Sequence, residues 1–434
     1  MRKILRQTYS VCPVCLQRIP AVHAAYGSEI YLEKTCPQHG DFSAIIWRGL
    51  RDMETWRGDL PPIVEGENEN CPNACGLCPE HRQGTCCVLL EVTKRCNLRC
   101  PFCFAEGGIG EDIPFETVRD RLRALAVPGK TLVQLSGGEP TVRNDLPQIV
   151  AAAKEAGCQY VQLNTNGIRL AEDAAYVHSL AEAGLSFVFM QFDGTNDEIY
   201  RALRGRNLLN IKQEAIENCA RYNIGVTLVP TIVPQINTQD IGNIIRFAVS
   251  RAPAVRGVHF QPVSYFGRIP ELPSNSERFT LDELLEAIAE QAGTLVQSDS
   301  LLPSRCDHPM CGFHGDYIVM PDQTLLPLHT AQGNFCGTAT ADQNRSFVAR
   351  KWQRPDVDDT GNRQDVSNGE AGFQSFDDFL QRVRSHSFTI TAMAFQDAGN
   401  LDLERLRRCS LHVFADGRFV PFCSYYLTSL SNLD

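Results

Sequence analysis

Two short cysteine blocks with one spacing constrain this chain more than anything else in it. Cys71, Cys75 and Cys78 stand at C-x₃-C-x₂-C, and so do Cys96, Cys100 and Cys103. That spacing lets three thiolates of one loop converge on one face of an iron–sulfur cube, and such clusters are held by Cys thiolates, normally four of them. A block that stops at three leaves one iron open to a small molecule. The second block stops at three. The first runs on to a fourth, Cys86, with Cys87 beside it. One site therefore reads as open and the other as closed.

The rest of the composition narrows the setting. A chain of 434 residues has room for two or three domains. A net charge of −10 argues against nucleic acid as the main partner, because phosphate binding rests on clustered Lys and Arg. Eighteen cysteines at this length do not fit a small disulfide-stapled secreted domain. The first residues hold no apolar stretch of signal-peptide length, and no run approaches the roughly 18 apolar residues of a membrane helix. The expectation is a cytoplasmic protein with metal-bound thiols.

From residue 88 onward, short β-branched runs alternate with amphipathic stretches. Strands are expected near 88–93, 131–136, 160–164, 187–192, 225–233 and 255–262, with helices near 115–126, 146–157, 174–183, 211–222 and 240–250. Alternation of this kind gives an α/β fold with a parallel sheet, and six units with near-continuous apolar strands suit an open or partial barrel. The expected division is a small metal-binding module of zinc-ribbon or rubredoxin type at 1–60, an auxiliary-cluster segment at 61–87, the barrel at 88–300, and a C-terminal auxiliary-cluster region at 301–434. A polar stretch at about 340–372 reads as a mobile insertion.

The open block follows directly from the first barrel strand, at the strand end where barrels of this kind carry their active sites. Phe102 precedes its third cysteine. One strand later comes Ser136-Gly137-Gly138-Glu139-Pro140, where the glycines let backbone approach a ligand without a Cβ in the way. Together these residues resemble the radical S-adenosylmethionine (SAM) superfamily, over about residues 88–262. The resemblance implies its partial (β/α)6, TIM-like barrel. It also implies a 4Fe–4S cluster held by Cys96, Cys100 and Cys103, with SAM on the fourth iron yielding a 5′-deoxyadenosyl radical that takes hydrogen from an unactivated C–H bond. By position it assigns Gly137, Gly138 and Glu139 to the SAM amino group, and Asn164 and Asn166 to its carboxylate or ribose. An arginine, Arg201 in preference to Arg204, would pair with the carboxylate. Asp193, in Asp193-Gly194 at the end of the fourth strand, is either a polar residue facing substrate or ordinary turn chemistry.

The remaining cysteines form further sets. Cys12-x₂-Cys15 and Cys36-x₂-His39 have the spacing of a tetrahedral mononuclear site. Zinc suits three Cys and one His, and a rubredoxin-like iron competes. Cys71, Cys75, Cys78 and Cys86 make a closed set suited to electron transfer. A two-strand ribbon around Asp416-Gly417 would bring Cys409 towards Cys423, and with Cys306 and Cys311 these form a second auxiliary set. Cys158 and Cys219 read as buried thiols; Cys87 and Cys336 have no assigned role.

The whole arrangement is similar to the tetraether lipid synthase family. The likeness rests on the C-P-x-C and C-P-x-H-G start, Cys-Gly-Leu-Cys-Pro-Glu-His before the open block, Gln261-Pro-Val-Ser-Tyr-Phe-Gly-Arg268, and Leu403-Glu-Arg-Leu-Arg-Arg-Cys409. It implies one SAM cluster, two auxiliary clusters and a mononuclear metal, acting on saturated lipid chains to form C–C bonds. The alternative from close relatives is methylation of a pterin or another small molecule, and a non-catalytic iron–sulfur carrier is more remote. Expected partners are the small-molecule or lipid substrate and an electron donor such as ferredoxin or flavodoxin, with peripheral contact to a membrane.

Overall fold

The computed structural model describes residues 1–60, 71–72, 76–271, 273–330, 339–355 and 375–429. The chain opens with an antiparallel meander of β1 (Arg2–Val11), β2 (Arg18–Tyr26), β3 (Glu29–Cys36) and β4 (Gly40–Trp47). Cys12 and Cys15 lie in the β1–β2 turn, and Cys36 and His39 where β3 turns into β4. Their four ligand atoms lie within 4.8 Å of one another, and His39 Nδ1 is 3.6 Å from Cys12 Sγ and 3.4 Å from Cys36 Sγ. Bond lengths of about 2.3 Å to sulfur and 2.0 Å to nitrogen, arranged tetrahedrally, put S and N about 3.5 Å apart. The two turns are already spaced for one zinc-sized ion.

The barrel follows with β5 (Cys87–Thr93), β6 (Leu132–Gly137), β7 (Tyr160–Thr165), β8 (Phe187–Gln191), β9 (Gly225–Val229), the short β10 (Thr231–Ile232) and β11 (Val255–Pro262). Each crossover is helical, and the helices bury one stripe. In Leu146–Glu155 the buried set is Leu146, Ile149, Val150, Ala152 and Ala153, the i, i+3, i+4, i+7 face plus one neighbour. The strands are buried on both faces: all six residues of β6 are buried, the polar Gln134 and Ser136 among them.

The residues after 300 add strands to this same sheet: β12 (Leu302–Pro303), β13 (Gly312–Val319), β14 (Leu325–Pro327), β15 (Ser387–Met393), β16 (Leu411–Ala415) and β17 (Arg418–Pro421). β15 pairs parallel to β11 and β16 pairs parallel to β5. The parallel run therefore reads β16-β5-β6-β7-β8-β9-β11-β15, with β13 and β17 antiparallel at its two edges. The ribbon expected around Asp416-Gly417 is the β16–β17 hairpin. The stretch expected as a mobile insertion is helical over Ala341–Trp352, capped by Thr340 and Gln343, with Arg345 and Trp352 buried. Residues 356–374 lie outside the described residues. No helix among the described residues is long and apolar enough to cross a membrane.

Buried polar contacts fasten the N-terminal meander to the segment before Cys409. His23 Nε2 meets Asp402 Oδ2 at 2.9 Å, Thr8 donates to Asp402 at 2.7 Å, and Lys34 Nζ donates to Ser10 Oγ and to the Ala398 carbonyl. Metal binding and folding are coupled in modules this small. Chelating the bound metal is expected to abolish hydrogen-exchange protection over residues 2–47 and over 398–402, while β6 to β9 keep theirs.

Candidate active site

The site is assembled where β5 ends. The loop after Thr93 returns on itself through Cys96 N–H to Gly108 O and Gly108 N–H to Lys94 O. Asp112 holds its start, accepting from Thr93 Oγ1 at 2.6 Å and from Arg95 at 2.9 and 2.6 Å. From the opposite side the segment after β11 clamps it. Arg268 donates to the carbonyls of Cys100 and Gly107, and its backbone pairs with Cys103 in both directions at 3.0 Å. Gly267 is required at that clamp: its φ is +63°, and a Cβ there would come within 2.6 Å of the Cys103 and Phe104 carbonyls. Cys96, Cys100, Phe102 and Cys103 all line the cavity beneath.

The Gly137-Gly138-Glu139 turn meshes with this loop. Gly138 N–H donates to Thr93 O and Glu139 N–H to Arg95 O, both at 2.8 Å. A Cβ on Gly137 would lie 2.2 Å from Thr93 O, and one on Gly138 2.1 Å from Arg95 O. The close approach that these glycines permit is thus between two protein backbones, where a ligand was expected. The Glu139 carboxylate is also committed to protein. It accepts from Thr141 N–H and Oγ1, from Thr165 Oγ1, and from Asn166 N–H. Asn166 in turn donates to Asn97 Oδ1 in the cysteine loop at 2.7 Å. Gly137, Gly138, Glu139, Asn164 and Asn166 all border the cavity, and Glu139 and Asn166 work there by fixing the ends of β6 and β7 to the loop.

Two expectations change. Asp193 is fully buried and makes a two-pronged ion pair with Arg204, at 2.7 Å to Nε and 2.6 Å to Nη2, while also accepting from Thr231 N–H. Its carboxylate holds Arg204 and does not line the cavity. Arg201 does not line the cavity: its side chain is 54% exposed and binds Asn207. Arg204 does line it, next to the Cys100 thiol. On helix Asp197–Arg204 the buried stripe is Ile199, Tyr200, Leu203 and Arg204, and Arg201 falls off it. Lys212 went unnoticed in the sequence. Fully buried, it donates to the Asn166 carbonyl, and burial lowers its pKa to about 8. Its signal was there, since it shares a face with Ala215, Ile216 and Cys219.

The other thiols group differently from their spacing. Cys86 was expected with Cys71, Cys75 and Cys78, and Cys306 with Cys311, Cys409 and Cys423. Instead Cys86 packs against Cys306, and Asn344 donates to its sulfur at 3.4 Å. Cys86 and Cys87 border the same cavity as the open block. Cys311, Cys409 and Cys423 do come together, around a small void shared with Asp307 and Phe395. Cys71 packs in one apolar cluster with Cys423, and Cys78 is half-buried. Spacing along the chain cannot show which thiols the sheet brings together from more than 200 residues away. Cys158 and Cys219 are buried, as expected; Cys75 and Cys336 lie outside the described residues.

The cavity encloses about 830 Å³ and extends from the cysteine loop down the barrel interior to Leu132 and Trp352, near the strand beginnings. Polar groups stand along its depth, among them Gln134, Gln191, Arg204, His259 and Asp316, between the aromatic walls Phe189, Phe313 and Trp352. Barrels filled by side-chain layers have no such space. Strands β13 and β15 contribute His314, Asp316, Thr389 and Thr391 to the wall of this one.

Comparison with known proteins agrees with this geometry. Residues 90–248 match the radical SAM superfamily, and residues 4–48 match the HMPTM N-terminal zinc ribbon domain, which favours zinc over iron at Cys12, Cys15, Cys36 and His39. The 7,8-dihydro-6-hydroxymethylpterin dimethyltransferase of Methanocaldococcus jannaschii is 34% identical, over 97% of this chain and 93% of that protein. The Fe-coproporphyrin III synthase of Methanosarcina barkeri is 33% identical over 46% of this chain and 49% of its own length. The crystal structure of Streptococcus suis SuiB aligns with a TM-score of 0.39 at 16% identity, covering 47% of this chain and 45% of SuiB. The chain is a radical SAM enzyme that uses SAM and a 4Fe–4S cluster, and it belongs to the family of the 7,8-dihydro-6-hydroxymethylpterin dimethyltransferase.

Proposed function

We propose that this enzyme methylates a reduced pterin, 7,8-dihydro-6-hydroxymethylpterin or a close analogue, and does not couple lipid chains. The character of the cavity carries the reading. Its volume falls within the roughly 300–1,000 Å³ of small-molecule sites, and hydrogen-bonding groups stand at every level of its wall. A saturated tail would leave unpaired those of them that lack a protein partner, Asp316 among them, at about 1–3 kcal/mol each. A pterin offers them donors, acceptors and a flat face for Phe189 and Trp352. The relative that matches along nearly its whole length carries a pterin activity in its name.

In this reading Cys96, Cys100 and Cys103 hold the cluster and Asn164 meets the polar end of SAM. Bound there, SAM and the cluster supply a hydrogen-abstracting radical. Arg204, held by Asp193, presents a fixed positive charge beside Cys100. Leu98, Phe102 and Val263 exclude water from the mouth. Cys311, Cys409 and Cys423, together with the Cys71–Cys78 block, are proposed as ligands of auxiliary clusters, fed by a carrier such as ferredoxin or flavodoxin.

Anaerobic incubation with SAM, a reductant, a one-carbon donor and the pterin is expected to give 5′-deoxyadenosine and a pterin heavier by one or two methyl groups. An unchanged pterin, with coupled chains formed from an added lipid extract, would replace this reading by the lipid one. Arg204→Gln should lower turnover about a hundredfold or more by leaving Asp193 buried and unpaired, whereas Arg201→Ala should stay within about twofold of wild type. Replacing both Cys409 and Cys423 by Ser should remove about four irons per chain, leaving SAM cleavage measurable.

A further inference from the structure

Deep in the cavity one acidic group has no hydrogen-bond donor among the described residues. Asp316, on β13, is 4% exposed and borders the cavity, yet its carboxylate accepts no hydrogen bond from any described residue. Its surroundings leave it so. Across the sheet it faces Thr389, whose hydroxyl already accepts from Trp352 Nε1 at 3.0 Å. His314, His329 and Lys351 lie near enough to act on it electrostatically. Burial pushes its pKa up, as expected for a carboxylate short of donors. A carboxylate buried without donors is costly. Here the open side of the group is the cavity, so a ligand with two adjacent N–H donors would complete it.

We propose that Asp316 anchors the 2-amino-4-oxopyrimidine edge of the pterin, its two oxygens accepting from the ring N3–H and the 2-amino group. This rests on the pterin reading above and assigns that ring its orientation. The edge presents two parallel N–H groups, the same fork by which guanidinium pairs with carboxylate. The wall offers aromatic surface to a flat ring: Phe189 and Trp352 pack edge to face at 4.6 Å between centroids, and His259 lies against Phe189 at 5.5 Å, pinned by Thr391 at 2.8 Å. The depth is right as well. In register, Asp316 is level with Thr389 and Gly257, four residues below Gln261 at the mouth, or about 13 Å. A ring anchored by its amino edge at that depth points its substituted edge towards the cysteine loop.

The test is a fluorescence titration of the reconstituted enzyme, with SAM present and oxygen absent, using 6-hydroxymethylpterin and 6-hydroxymethyllumazine. The lumazine carries a carbonyl oxygen in place of the 2-amino group and would oppose a carboxylate. Wild type is expected to prefer the pterin by about tenfold to hundredfold, and Asp316→Asn to lose both that preference and a similar factor in pterin affinity. Binding of the pterin by Asp316→Asn within twofold of wild type would overturn the anchor and leave the pterin reading standing. Failure of wild type to bind the pterin at all would remove both. Should Asp316→Asn not fold, judged by its thermal melt, the wild-type preference still decides: equal affinity for the two ligands overturns the anchor.

Discussion

Everything at the mouth of this barrel depends on one buried carboxylate. Glu139 accepts four hydrogen bonds from two different strand ends, while its own backbone and that of Gly138 are bonded to the loop that carries the three cysteines. A buried charge is tolerated only when it is fully satisfied. Satisfying this one requires β6, β7 and the cysteine loop to take up a single arrangement. Three thiolates that must meet one cluster need that rigidity, because the positions of their sulfurs are set entirely by the loop backbone. Arg268 provides the same restraint from the side of β11.

Below the mouth the architecture serves a different end. Adding β15 and β16 to the six strands lengthens the parallel sheet at both edges, and β13 then brings His314 and Asp316 to the inner wall. The result is a cavity whose upper end carries Cys96, Cys100 and Cys103 and whose lower end sets Cys86 and Cys87 among polar and aromatic groups. An enzyme that generates a reactive radical gains from such enclosure, since water and stray hydrogen donors are kept out. The zinc ribbon, docked through His23 and Asp402 onto the segment that precedes Cys409, extends this order outward to the Cys311, Cys409 and Cys423 group.

Much of this was legible in the residues. The six barrel strands fall within a few residues of the apolar runs, and the strand-end position of Cys96 followed from them. The tetrahedral site at Cys12, Cys15, Cys36 and His39 followed from its spacing, because local spacing fixes local geometry. Long-range pairing did not follow. Nothing in the composition of residues 387–393 or 411–415 says that they pair with strands some 130 and 320 residues earlier in the chain, so the C-terminal region read as separate. The same blindness misgrouped Cys86 and Cys306. Arg201 was preferred over Arg204 although the stripe of Ile199, Tyr200 and Leu203 already placed the second arginine inward. The lipid expectation came from a family likeness, and the hydrogen-bonding groups set into the largely apolar inner wall do not favour it.

The central claim is that the second cysteine block, at the mouth of the barrel, holds the open cluster to which SAM binds. Electron–nuclear double resonance of the reduced enzyme with SAM carrying ¹⁵N at its amino group tests it directly. The account predicts a ¹⁵N coupling in the wild type that persists in Cys78→Ala and vanishes in Cys100→Ala. A coupling that survives Cys100→Ala and is lost in Cys78→Ala would put the open iron on the first block and contradict the account.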